Sequence, residues 1–183
     1  MQTALIKYFP VIALLFSSPA VVAQDSNEET LEWNASRRLT WSDYKAKPNP
    51  ASDAAATTTT YVGIEYKISN DNFSYFIHCR FSKDRSWGLH KTDYILSHEQ
   101  GHFDIAELFA RKLHKEMSNY TFNKRSFQKD LKKIYDAIMK ERESTQNLYD
   151  KETNHSINKE KQAEWLKKIQ TLLKEYSDYA NYP

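Results

Sequence analysis

The hydrophobic pattern of this chain changes period once, between residues 82 and 92, and that change decides the class of fold. Upstream of it, apolar residues alternate. Thr58, Thr60, Val62, Ile64, Tyr66 and Ile68 share one face, and Phe73, Tyr75, Ile77, Cys79 and Phe81 alternate again after Asn70-Asp71-Asn72. A spacing of two marks half-buried strands, so residues 57–82 read as a β-hairpin with its turn at 70–72. Two strands rarely stand alone. Residues 31–44, with Trp33, Leu39 and Trp41, are therefore expected to supply a third. Downstream the spacing becomes helical. Thr92 is a suitable N-cap, and Ile95, Phe103, Ala106, Ala110, Leu113 and Met117 form one stripe to about residue 117. A second helix is expected from Phe127 to about Asn147. A third follows Ser156, with Trp165, Ile169, Leu172 and Tyr176 on its stripe. Strands followed by helices predict an α+β fold: a small N-terminal antiparallel sheet, then a C-terminal three-helix region.

The first residues read as an export signal. Lys7 is the only charge before Asp25, and Val11-Ile-Ala-Leu-Leu-Phe16 is followed by Val21-Val22-Ala23. Small or aliphatic residues at these positions fit cleavage after Ala23. The run is short of the roughly 20 residues that span a bilayer, so no stable membrane insertion of the mature chain is expected. The expected organisation is a signal peptide at 1–23 and one domain at 24–183, in a periplasmic or secreted protein. About 160 residues suffice for one domain with a real core. Cys79 is the single cysteine, which excludes an internal disulfide. A net charge of +2, with both signs interspersed, argues against nucleic acid as a partner. Four Asn-x-Ser/Thr triplets, at Asn34, Asn72, Asn119 and Asn154, would matter only in a eukaryotic secretory pathway and read as chance.

The first helix carries His98-Glu99-Gln100-Gly101-His102. At 100° per residue the two histidines differ by only 40°, so both rings can reach one metal ion. Glu99, at 100°, stands at the edge of that face, where a carboxylate can take the proton of an activated water. Asp104 and Glu107 fall at 240° and 180° and point away; Asp104 is kept as a residue that supports the ligands from behind. Glycine inside a helix costs roughly 1 kcal/mol against alanine. Gly101 therefore implies close approach of another segment, for packing or for access to the metal.

Zinc takes a third protein ligand and keeps a fourth position open. His114 lies more than four turns along the same helix, out of reach. His78 falls on the polar face of the hairpin and His90 in the loop before the helix. His155, in the polar segment Tyr149-Asp150-Lys151-Glu152-Thr153-Asn154-His155, is the preferred third ligand. Asp150 and Glu152 are the carboxylate alternatives or partners to an imidazole. Tyr149, with Tyr94 and Tyr120 behind it, is the candidate donor to an oxyanion. The strand Phe73 to Phe81 could offer a free edge to an extended peptide.

Leu39-Thr40-Trp41-Ser42-Asp43-Tyr44, the extended helix motif from His98 through Asp104 to Glu107, Tyr149-Asp150 with Thr153-Asn154-His155, and Gln162 with Trp165 together resemble the bacterial secreted family known as domain of unknown function 922. The resemblance runs from about Leu39 to Ile169. It implies a zincin-like metallopeptidase fold and a Zn2+-dependent protease acting on a peptide or protein substrate. Ser156 stands where that family tends to carry glycine. The expected function is a secreted zinc peptidase with Glu99 as general base and His98, His102 and His155 on the metal. The alternatives are a hydrolase of cell-wall amides or peptides and a catalytically inert zinc-containing binding domain.

Overall fold

A computed structural model describes residues 28–49, 51–69 and 72–183. The expected signal peptide and two residues of the hairpin turn, 70 and 71, lie outside the described residues. The architecture is α+β. A three-stranded antiparallel sheet of order β1-β4-β3 joins β1 (Thr30–Glu32), β3 (Thr60–Ser69) and β4 (Asn72–Ser82). A two-stranded ribbon pairs β2 (Ala56–Thr57) with β5 (Trp87–Gly88). Three helices follow: α1 (Asp93–Ser118), α2 (Phe127–Thr153) and α3 (Lys159–Glu175). No helix among the described residues is long and apolar enough to cross a membrane.

The hairpin register pairs Thr60 with Phe81 and Val62 with Cys79. This puts Val62, Ile77, Cys79 and Phe81 into the core. Strand β1 pairs with β4 through Leu31 opposite Phe81. Strand β4 is therefore central, and the expectation that it offers a free edge is corrected. The edge strands are β1 and β3, because residues 30–32 add on the other side of β4.

Helix α1 is the centre of the molecule. Its N-cap is Thr92, whose side chain accepts from the Ile95 amide at 3.2 Å. Phe103, Ile105, Ala106, Leu108, Phe109, Ala110 and Leu113 are all buried, so the helix is apolar on nearly every side, as a helix covered by neighbours all round must be. The sheet, α2 and α3 supply that cover.

Two buried carboxylates of α1 are paired, as the low dielectric demands. Asp104 is fully buried. It accepts from Trp33 Nε1 at 2.9 Å, Gln100 Nε2 at 2.9 Å and Gln170 Nε2 at 3.2 Å, and it pairs with Arg38 at 3.0 Å. One carboxylate thus joins the N-terminal segment, α1 and α3. Glu107 is held by Arg111 and by the Tyr182 hydroxyl.

Helix α2 continues six residues beyond the expected end at Asn147. Asn154 closes it in the left-handed region, at φ 49, and its amide returns to the carbonyls of Asp150 and Lys151. Asparagine is one of the few residues at ease there. His155 and Ser156 also take positive φ, at 50 and 73. A positive φ such as that at Ser156 is one that glycine adopts most readily. Tyr149, Asp150 and Glu152 are therefore helical residues rather than parts of a loop.

Candidate metal centre

Helix α1 brings His98, Glu99 and His102; the last turns of α2 bring Gln146, Tyr149 and Asp150. The helices approach closely because position 101 has no side chain. A Cβ there would lie 2.5 Å from the Tyr149 hydroxyl and 2.9 Å from its ring. Tyr149 fills that space. Its ring stacks on His98 with centroids 4.5 Å apart and meets His102 edge-on at 5.0 Å, while its hydroxyl donates to the His98 carbonyl at 3.2 Å.

Three ligand atoms converge. His98 Nε2 and His102 Nε2 are 3.2 Å apart, and Asp150 Oδ1 lies 3.2 Å from the first and 3.0 Å from the second. The edge of a tetrahedron with bonds of 2.0–2.1 Å is about 3.3 Å, so the spacing suits a first-row divalent ion with two imidazole and one carboxylate ligand. The three groups could hold a metal ion.

The orientation of His102 is fixed by a residue that sequence reasoning missed. Gln146 Nε2 donates to the His102 carbonyl at 2.9 Å, which sets the amide's direction. Its Oε1 therefore accepts from His102 Nδ1, at 2.5 Å. With the proton on Nδ1, the lone pair of Nε2 faces the convergence point. Such outer partners set ring orientation and ligand basicity in metal sites. The signal for Gln146 was its position four residues before Asp150, on the same helix face; it was hidden while the helix was expected to end at Asn147. Nδ1 of His98 has no hydrogen-bond partner among the described residues.

Burial works against charge at both Asp150 and His102, but their mutual contact prevails. Asp150 is held well below the usual carboxylate range by its bonds to His102 and His98. His102 is raised by Asp150 and by the charge of Glu99.

His98, His102, Glu99 and Asp150 stand at one end of a cavity of about 1130 Å³. Its other walls are the face of α2 bearing Tyr135, Arg142 and Gln146, and the chain from Ala54 to Val62. The carbonyl of Ala55 accepts from Leu89 and His90, and Thr59 bonds to Ser82 and Ser86. Alternation along an extended chain turns the backbone groups of Ala56 and Thr58 away from these partners, and both residues line the cavity.

The other expected site residues fall as follows. His155 is on the cavity wall with its side chain 72% exposed, and its Nδ1 is 3.7 Å from Asp150 Oδ1; it lies beside the three converging ligand atoms without joining them. Glu152 faces the other way and accepts from Trp165 Nε1 at 2.7 Å. Tyr149 lies beneath the imidazoles and does not line the cavity. Its hydroxyl is engaged by His98 and buried over Gly101, so it supports the rings instead of facing a reacting group. Asp104 is in the core hub already described. Of the remaining histidines, His78 meets Glu65 and Arg80 on the outer face of the sheet, and His114 meets the Tyr179 carbonyl.

An α+β chain in which consecutive helices bring two histidines and an aspartate together is a candidate metalloprotein. The profile of the family described as "Bacterial protein of unknown function (DUF922)" matches residues 34–156, about two thirds of the chain, and the protein belongs to that family. The match begins at the segment that feeds the Asp104 hub and ends just after His155. No curated protein matches the chain, and no solved structure matches it.

Proposed function

We propose that this protein is an exported zinc-dependent peptidase, with His98, His102 and Asp150 on the metal and Glu99 as general base. The observation that carries the reading is the convergence of His98 Nε2, His102 Nε2 and Asp150 Oδ1 within 3.0–3.2 Å of one another at the end of a long cavity. Two imidazoles and one carboxylate suit zinc in a hydrolytic site. When bound, zinc lowers the pKa of water and polarises a carbonyl.

The chain's own residues do the rest. Glu99 lines the cavity beside the ligands and takes the attacking water's proton, which it returns to the leaving amine. Gln146 and Tyr149 hold the imidazoles in position. Ala56 and Thr58 present backbone groups to an extended substrate, which adds as a strand beside them. This cleft suits a peptide better than a compact small molecule. His155, at the mouth and next to Asp150, is available as a donor to the carbonyl oxygen of the substrate.

The zincin-like assignment rests on the helix-borne motif with its third ligand on the following helix. Glu99→Gln tests the reading. The variant is expected to keep one zinc per chain and to lose at least about a hundredfold in peptide turnover. A variant that cleaves at the wild-type rate contradicts the role of Glu99. A loaded, folded wild type with no activity on peptide libraries or cell-wall peptides contradicts the peptidase reading and leaves an inert zinc domain.

A further inference from the structure

Arg142 lies on the same face of α2 as Gln146 and Asp150, spaced by four and eight residues, and it lines the same cavity. Its guanidinium is bonded only to neutral groups. Nη2 donates to the Thr60 carbonyl at 2.9 Å and to Thr60 Oγ1 at 2.5 Å, while Nε is sealed from solvent with no partner. Among the described residues no carboxylate forms an ion pair with it. Burial pulls its pKa down, and the groups opposing that shift are the Cys79 thiol and the Tyr135 phenol, not a carboxylate. Arginine stays charged even so. A buried cation is ordinarily paired; this one lines the cavity and has no anionic partner among the described residues.

Building on the peptidase reading, we propose that Arg142 is a substrate-recognition residue, and that the cavity takes peptides bearing a carboxylate. Eight residues of helix separate Arg142 from Asp150 by about 12 Å. An extended peptide covers that distance in about three to four residues. The carboxylate therefore lies three to four residues from the bond presented to the metal. It is either a free C-terminus or an Asp or Glu side chain. Asp136, Lys140 and Glu143 also line this wall; Lys132 engages Asp136 at 2.6 Å, and Glu143 forms no ion pair with Arg142 among the described residues.

The test is binding, not turnover. Full-length Glu99→Gln protein is titrated by calorimetry with three peptides: acetyl-Ala-Ala-Ala-Ala amide, the same peptide with a free C-terminus, and acetyl-Ala-Ala-Ala-Asp amide. At least one acidic peptide is expected to bind about tenfold or more tightly than the neutral one, from a charge-assisted hydrogen bond. The arm that gains identifies the source of the carboxylate. The gain is expected to vanish when Arg142→Met is added. Equal binding of all three peptides overturns the proposal. A gain that persists in Arg142→Met overturns it too, because the metal centre would then be the anion site. If Arg142→Met does not fold, the Nε–Hε resonance of Arg142 decides: a shift with acidic peptides alone supports the proposal, and no shift ends it. These outcomes do not depend on catalysis, so an inactive wild type would sink the peptidase reading and leave the binding result standing.

Discussion

Gly101 and Tyr149 form the contact that sets how closely the first two helices approach. The glycine gives up its side chain to the phenol, and the phenol supports both imidazoles. Gly101→Ala should lower stability by about 1–2 kcal/mol, because overpacking costs about 1–3 kcal/mol and the alanine's helix propensity returns part of it. Thermal unfolding is expected to drop by about 2–8 °C. Introduced into Tyr149→Phe, which removes the nearest atom, the same change should cost less. Equal costs in the two backgrounds would mean that the contact does not set the spacing.

Gln146→Leu removes the acceptor that fixes the proton on His102 Nδ1 while leaving the ligands in place. Metal affinity should fall about 10–100-fold with little change in unfolding temperature of the metal-free protein. Competition with a coloured chelator measures the first and circular dichroism the second. Unchanged affinity would show that His102 is oriented by packing alone.

Asp104→Ala leaves several donors in the core without their shared acceptor. Losing the carboxylate of such a network costs about 3–5 kcal/mol, read as a lower urea midpoint. Folded protein at low temperature should still hold one metal ion per chain, because Asp104 touches neither histidine ring. A loss of metal with stability intact would assign Asp104 to the centre.

Asp43 is buried, which alone would raise its pKa. The Thr40 amide and the Arg37 guanidinium outweigh that and hold it below its ordinary value of 3.8. A carboxylate depressed by folding adds stability above its unfolded pKa, and that contribution is lost as pH falls through the folded value. Asp43→Asn should therefore be less stable than wild type at pH 7, with the gap narrowing below about pH 3.8. Urea unfolding at both pH values checks this. A gap that stays constant would mean that the charge of Asp43 plays no part.

The α+β class, the hairpin, the start of α1 at Thr92 and the shared face of His98 and His102 were legible because each rests on a local period or cap. Three features were not. The end of α2 was hidden because Tyr149 to Asn154 is polar and without apolar period, so the segment read as a loop and His155 outranked Asp150. Which strand of the hairpin lies at the edge could not be assigned because β3 and β4 alternate equally well; only the pairing of Leu31 with Phe81 decides between them. Arg142 and Gln146 stood unremarked because their meaning depends on the cavity that α2 shares with residues 54–62.

Asp150, rather than His155, is proposed to complete the metal centre with His98 and His102. Metal analysis of purified wild type, Asp150→Asn and His155→Ala, after dialysis against zinc and then buffer, tests it most directly. One zinc per chain in wild type and His155→Ala, with none in Asp150→Asn, is the predicted result. Zinc retained by Asp150→Asn and lost from His155→Ala would contradict it.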